Sequence, residues 1–413
     1  MRMLKLFFLL ALSFYVLNSC SNELPFETKE NLANSAAPAL SVQNLESYTV
    51  YEGTLVTGAL FKIWMPEAWN GELVLFAHGY VDPTQPVEIP ESQLTMDDGT
   101  YIPDLVTEMG YAFATTSYRE NGFAVQEAII DLVELEFKFE ELFPEPEFVY
   151  LVGASEGGLI TVKSLEMKKL YDGGLALCGP IGDMQAQVNY IGDFRVLFDY
   201  FFPGTLPGSP IHIPDELIQN WDSKYVPKIL QLLQDYPERT LQLIRCARAP
   251  IDPDDPTTIP QTVLGVLWYN VFATNDLVER VGGNPYDNTD RLYHGSGDDQ
   301  YLNANVQRFA ADPQALQNLK RFFDTTGQLN RPVVTMHTVG DQIVPAWHER
   351  YYREKVFPEN GRIMYTNQFI WRYGHCNFTK DEVLAGFELM VEKAKLFRAM
   401  QLPEPTIALQ AER

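Results

Sequence analysis

Residues 151–160 read LVGASEGGLI. The preceding segment, FVYLVGAS (148–155), is a continuous apolar run of the kind found in a strand covered on both faces. The following segment, LITVKSLEMKKLY (159–171), places its apolar residues three and four apart, the period of a helix. Ser155 therefore sits where a strand gives way to a helix, with Gly153 two places before it and Gly157 two places after. A serine on so sharp a turn projects its Oγ away from the sheet. Bulky residues two places to either side would clash, which accounts for the glycines. The helix that follows offers free N–H groups and a positive dipole end, which suit a developing oxyanion. The competing reading is a serine that caps a helix. Partners elsewhere in the chain decide between the two.

Outward from this point the same alternation recurs. Strand-like runs begin near residue 47 and continue through TLVTGALFKIWMP (54–66), ELVLFAHGY (72–80), YAFATTSY (111–118), GLALCG (174–179), PVVTMHTVG (332–340) and TNQFIWRYG (366–374). Helical periods lie among them at 123–143, 159–171 and 381–400. Strands that alternate with helices predict a doubly wound, mostly parallel α/β sheet. The alternation breaks at 181–329, where amphipathic helical stretches are separated by Pro- and Asp-rich loops. The expected organisation is a core over 46–180 and 330–400, with a large, mostly helical insertion at 181–329 after the sixth strand, and a tail at 401–413.

A serine hydroxyl is a poor nucleophile until a base takes its proton, and that base is commonly a histidine oriented by a carboxylate. Of the six histidines, His375 in RYGHCNFT falls just past a strand and before the last long helix, where a loop can swing an imidazole over the sheet edge. His337 lies inside an apolar strand and reads as a core residue. His348 reads as exposed on a helix, and His212 and His294 as surface residues of the insertion. Asp341 in HTVGDQIVP also follows a strand, and we prefer it as the acid over Asp183 in CGPIGDM. LFAHGYVDP (75–83) ends another strand. There Gly79 allows close approach, and the backbone N–H of Tyr80, with that of Glu156, can hold an oxyanion. His78, just before that turn, reads as structural.

With these elements in place, the chain resembles the α/β-hydrolase superfamily. His-Gly-Tyr, Gly-Ala-Ser-Glu-Gly, Gly-Asp-x-Ile-Val-Pro and Gly-His-Cys stand in that family's order of oxyanion loop, nucleophile, acid and histidine. The resemblance covers roughly 47–183 and 331–400 and puts the insertion where many members carry a helical lid. It implies a catalytic triad of Ser155, Asp341 and His375, with Tyr80 and Glu156 as oxyanion donors. It also implies an acyl-enzyme route that cleaves a carboxylic ester, on a small-molecule or polymeric substrate and without cofactor or metal. The alternatives are a peptidase or amidase on the same fold, or a non-catalytic surface binding protein. Esterases of the tannase and feruloyl type carry a cysteine before the serine and another after the histidine. Cys376 follows His375, but Ala154 precedes Ser155, so that bridge is not expected here.

The remaining features bound the setting. Residues 1–19 read as a signal peptide, with Arg2 and Lys5 ahead of an apolar run of about a dozen residues, too short to span a membrane comfortably. LNSC (17–20) resembles a lipobox. It implies an exported, envelope lipoprotein lipidated on Cys20, with plain secretion as the alternative. Residues 20–45 read as a tether. The chain carries 55 acidic residues against 31 Lys and Arg, a net charge of −24. That balance repels nucleic acid and leaves the lipid on Cys20 as the expected membrane attachment. Cys178, Cys246 and Cys376 allow at most one disulfide, of undetermined pairing, and show no metal-ligand spacing. IGDFRVLFDYFFPG (191–204) and VLWYNVF (266–272) are dense in aromatics. Phe194, Phe198, Trp268 and Tyr269 are candidates for a substrate pocket, or simply for lid packing. The acidic loops DNTD (287–290) and GSGDD (295–299) lack the EF-hand pattern and read as solvated turns.

Overall fold

A computed structural model of the chain describes residues 40–167, 170–357 and 364–401. The expected signal peptide, Cys20, most of the tether and nearly all of the tail lie outside the described residues.

Nine strands form one sheet: β1 (Ser41–Asn44), β2 (Tyr48–Thr54), β3 (Leu60–Pro66), β4 (Glu72–Ala77), β5 (Ala112–Thr116), β6 (Phe148–Ala154), β7 (Gly173–Leu177), β8 (Val333–Gly340) and β9 (Tyr365–Tyr373). Their order across the sheet is β1-β2-β3-β5-β4-β6-β7-β8-β9. β1, β2, β3 and β5 pair antiparallel. From β5 through β9 every pairing is parallel. The exchange of β4 and β5 in the order is a switch point, and ligands bind beyond the carboxyl ends of strands at such points. β4 and β7 are buried along their whole length, as continuous apolar runs require when both faces are covered.

The helices are α1 (Ile102–Glu108), α2 (Val125–Leu142), α3 (Glu156–Met167), α4 (Met184–Phe201), α5 (Asp215–Gln219), α6 (Val226–Asp235), α7 (Pro237–Ala247), α8 (Thr258–Val281), α9 (Asp299–Asn305), α10 (Pro313–Phe322), α11 (Trp347–Val356) and α12 (Lys380–Gln401). Two adjacent glycines in β7 mark the two faces of the sheet. A side chain on Gly173 would meet Met390 and Ala394 of α12, whereas one on Gly174 would meet Thr161 and Leu165 of α3. No described helix is long and apolar enough to cross a membrane.

Helices α4 to α10 lie between β7 and β8 and have a core of their own, in which Phe194, Phe198, Trp221, Leu267 and Val271 are buried. Arg195, fully buried, ties this layer together. It pairs with Asp199, donates to Asn270 Oδ1 of α8 at 3.0 Å, and donates to the Pro207 carbonyl at 3.0 Å.

Three expectations need correction. Ser41–Asn44 pairs with β2, so the tether ends earlier than residue 45. That extra strand makes the insertion follow the seventh strand instead of the sixth. The run 54–66 is also not one strand. It turns at Leu55–Ala59, closed by a hydrogen bond from Leu55 N–H to the Ala59 carbonyl, and only then enters β3. The parallel core, the antiparallel β3, the order switch and the serine turn after the central β6 make this an α/β-hydrolase fold.

Candidate active site

β6 ends at Ala154 and α3 begins at Glu156, which leaves Ser155 alone to make the turn. It does so at φ +58°, in the left-handed region that side chains other than glycine rarely adopt. The flanking glycines are required by close backbone approach. A Cβ on Gly153 would overlap the carbonyl of Gly157, and one on Gly157 would overlap the carbonyl of Ala77 in β4.

The Ser155 hydroxyl donates to His375 Nε2 at 2.8 Å. His375 Nδ1–H donates to Asp341 Oδ2 at 2.7 Å. Asp341 is fully buried, and its other oxygen accepts from the N–H groups of Ile343 (2.9 Å) and Val344 (2.8 Å). These donors fix the carboxylate's direction and offset its lost hydration. Three residues far apart in the chain are thus joined at the carboxyl end of β6, β8 and β9. Asp183, the rival acid, caps α4 and accepts from Ala186 N–H at 2.8 Å.

The oxyanion expectation falls on two amides. Neither Tyr80 N–H nor Glu156 N–H finds a protein acceptor among the described residues, and the latter is the unsatisfied first donor of α3. The loop that carries Tyr80 is held by a residue the sequence did not single out. Gln93 Oε1 accepts from Gly79 N–H at 2.6 Å, and its Nε2 donates to the Tyr80 carbonyl at 3.3 Å. Gln93 clamps the loop on both sides of that peptide. The Glu156 carboxyl is buried, with Oε1 unpartnered. Burial and the nearby Asp276 push it well above the usual carboxylate range.

The cysteines resolve into one bridge. Cys178, just past β7, is disulfide-bonded to Cys376, and Cys246 is free and buried. A bridge from the position before Ser155 is ruled out by Ala154, as expected; the pairing left open among the three cysteines is settled by Cys178, at the end of the neighbouring strand. The bridge ties the residue next to His375 to the sheet. Cys178, His375 and Cys376 lie within 4.8 Å of one another, but two sulfurs joined in a disulfide are not thiolate ligands.

Three of the other histidines, His78, His348 and His337, are structural in placement. His78 is buried and stacks on Tyr118 at 3.8 Å, and burial pushes its pKa down to about 4. His348, expected on the surface, is fully buried. Its Nδ1 accepts from Gly182 N–H at 2.9 Å, so Nε2–H must donate to Gln187 Oε1 at 2.9 Å. Gln187 in turn donates to the Ile343 carbonyl at 2.8 Å. This chain fastens the start of the insertion to the loop behind Asp341. His337 packs behind the same carboxylate. Its Nε2–H donates to the Val344 carbonyl at 2.7 Å and lies 3.6 Å from Asp341 Oδ2, while Nδ1 is 3.2 Å from Glu349 Oε1. Both ring nitrogens face acceptors. His212 is exposed, as is most of the His294 side chain. The acidic loops are turns closed on themselves, with Asp287 accepting from Thr289 and Asp299 from Ser296.

Two apolar recesses open at Ser155. The first is a narrow channel of about 80 Å³ in the insertion, walled by Val188 and Ile191 of α4, Ala273 and Leu277 of α8, and Ile343 and Val344. The second, about 340 Å³, runs between the sheet and the helices α1 and α12. Phe76, Leu177, Leu105, Met109, Leu384 and Phe387 are among its walls, and His375 stands at its edge. Tyr80, Ser155 and Tyr269 border both. Of the four pocket candidates, Tyr269 is therefore at the site. Phe194 and Phe198 are not, because they are spent inside the insertion's own core. Trp268 lines a separate outer cleft with Asp82, Asp215 and Asp222. It also packs on Tyr80, and the Tyr80 hydroxyl donates to the Phe272 carbonyl of α8 at 3.0 Å.

Solved structures with similar architecture include Candida antarctica lipase A in its closed state (12% identity, 88% of this chain, 84% of that one, TM-score 0.46). An esterase of Pyrococcus furiosus is similar at 12% identity over 88% and 97%, TM-score 0.43. An acylaminoacyl peptidase of Pyrococcus horikoshii is similar at 11% identity over 89% and 42%, TM-score 0.38. A sequence search finds similarity to an o-phthalyl amidase of Xanthobacter agilis, 28% identical over 109 residues, or 25% of this chain. The chain spans about a quarter (24%) of the length of that curated relative. No family model matches the chain.

Proposed function

We propose that the protein is a serine hydrolase that cleaves a carboxylic ester through an acyl-enzyme. The observation that supports this reading is the unbroken hydrogen-bond chain Ser155–His375–Asp341, set beneath two unpaired amides. Ser155 Oγ attacks the ester carbonyl carbon and gives its proton to His375 Nε2. Asp341 holds the imidazole in the required tautomer and balances the imidazolium that forms. The carbonyl oxygen becomes an oxyanion and accepts from Tyr80 N–H and Glu156 N–H. As the C–O bond breaks, the leaving oxygen takes the proton from His375 and departs as the alcohol. Water then gives a proton to the same nitrogen and attacks the acyl carbon. The carboxylic acid leaves, and Ser155 recovers its proton.

The second reading is an amidase, and the short similarity to an o-phthalyl amidase favours it. The ester reading is preferred because the wall beside His375 is apolar and offers a peptide's N–H and C=O groups no ready partner. Short p-nitrophenyl esters compared with the matching anilides separate the two. We expect faster ester turnover, with Ser155→Ala and His375→Ala each lowering kcat about 10⁴-fold or more. A consistent preference for the anilides would turn the assignment to the amidase.

A further inference from the structure

We infer that the substrate carries an apolar arm on each side of its ester link, with the acyl arm in the channel through the insertion and the alcohol arm in the cavity beneath α1 and α12. This inference rests on the ester reading above and assigns its two halves.

The direction follows from proton delivery. The leaving oxygen must be reached by His375 Nε2, so the alcohol lies on the side of the site where that ring stands. His375 borders the 340 Å³ cavity and does not border the channel. The channel begins instead at Ser155 and Glu156 and has no wall from His375, which leaves it for the acyl group, attached to Ser155 after the alcohol has gone.

The class of each arm follows from the walls. Apart from Glu156, whose Oε1 is unpartnered where the channel meets Ser155, the polar side chains lining the channel are committed to the protein. Gln187 bonds to Ile343 and His348, Asn270 to Arg195 and Pro210, Asn284 to Tyr286 and Ala310, and Tyr286 to Asp193. The surfaces left for a ligand are aliphatic and aromatic, and the bore admits a slender chain. In the cavity, Gln93 is committed to the loop at Gly79 and Tyr80. Thr95 and Asp97 are exposed at its mouth, and the depth is Phe76, Leu177, Met109, Leu384 and Phe387. At about 340 Å³ it lies within the range of small-molecule sites. It would hold a longer alkyl or aryl alcohol. A sugar or glycerol hydroxyl would find no hydrogen-bond partner in its depth, a loss that strongly disfavours such an alcohol.

The experiment is a matrix of esters in which acid and alcohol are lengthened independently, read as kcat/KM. Ile191→Trp blocks the channel and Leu384→Trp blocks the cavity. Both positions are half-buried and neither belongs to the catalytic machinery. In the wild type the rate rises with length in both directions. Ile191→Trp cuts the gain from long acids about tenfold and leaves the alcohol series alone. Leu384→Trp does the reverse. Val188→Phe and Leu105→Phe provide the same test if either tryptophan variant fails to fold. Variants whose effects are exchanged between the two series would overturn the assignment of arms. Methyl acetate turnover without gain from either arm, or preference for sugar acetates, would overturn the inference while leaving the ester reading intact. Failure of every ester, with anilides cleaved, would remove both.

Discussion

Removing the imidazole of His337 leaves Glu349 buried without the ring that faces it. Burial opposes the charged ring, but the hydrogen bond to Glu349 and the charge of Asp341 outweigh it and raise the pKa. The other titratable groups nearby are the Tyr365 hydroxyl, which donates to Glu349 at 2.7 Å, and His348, whose pKa burial lowers. A histidine whose folded pKa is raised stabilises the protein fully below its unfolded value of about 6.5, and the effect fades as pH rises through the folded value. His337→Gln should therefore show its largest stability deficit below about pH 6.5, and the deficit should shrink as pH rises. Thermal melts across pH check this, and a deficit that grows with pH would contradict it. At Gly157, Gly157→Ala should destabilise by several kcal/mol, read by denaturant melts, because the new methyl meets the Ala77 carbonyl of β4. The sequence disclosed Ser155, Asp341 and His375 because each sits in a short stretch whose geometry is local. It did not disclose Gln93, which acts across the turn on Gly79 with no motif of its own. It also misplaced His348, whose burial comes from the insertion packing on α11.

At the scale of elements, the loop from β9 to α12 carries His375 and is held at several points. Thr338 Oγ1 donates to the Gly374 carbonyl at 2.6 Å, Arg372 pairs with Glu382, and Cys376 is bonded to Cys178. The bridge closes a loop with a sequence separation of 198 that contains the whole insertion. Cys376→Ala is expected to cost about 2–4 kcal/mol of stability. It should also lower kcat more than it changes KM, because the freed loop samples positions in which His375 no longer meets Ser155. Unfolding curves and ester kinetics on the same variant test the two halves separately, and unchanged kcat would reduce the bridge to a staple. The alternation of apolar strands and amphipathic helices made most of these elements readable. The pairing of the cysteines was not readable, since it depends on which strand ends are neighbours across the sheet. The hairpin between β2 and β3 was hidden because its turn interrupts an otherwise continuous alternation.

Across the whole molecule, two hydrophobic cores meet at one edge: the sheet with its covering helices, and the separately packed insertion. The insertion lies between β7 and β8, and its aromatics could be assigned only by packing. Phe194 and Phe198 close the inner core, Trp268 faces the outer cleft, and Tyr269 alone of the four borders Ser155. The layout gives Ser155 a floor of parallel strands, a positive helix end and an apolar roof, and every step proposed above depends on its reactivity. Treatment with a fluorophosphonate, followed by peptide mapping, tests that reactivity most directly. The account predicts a single adduct on Ser155, abolished by Ser155→Ala and strongly slowed by His375→Ala. A folded protein that takes up no label, or takes it elsewhere, would contradict it.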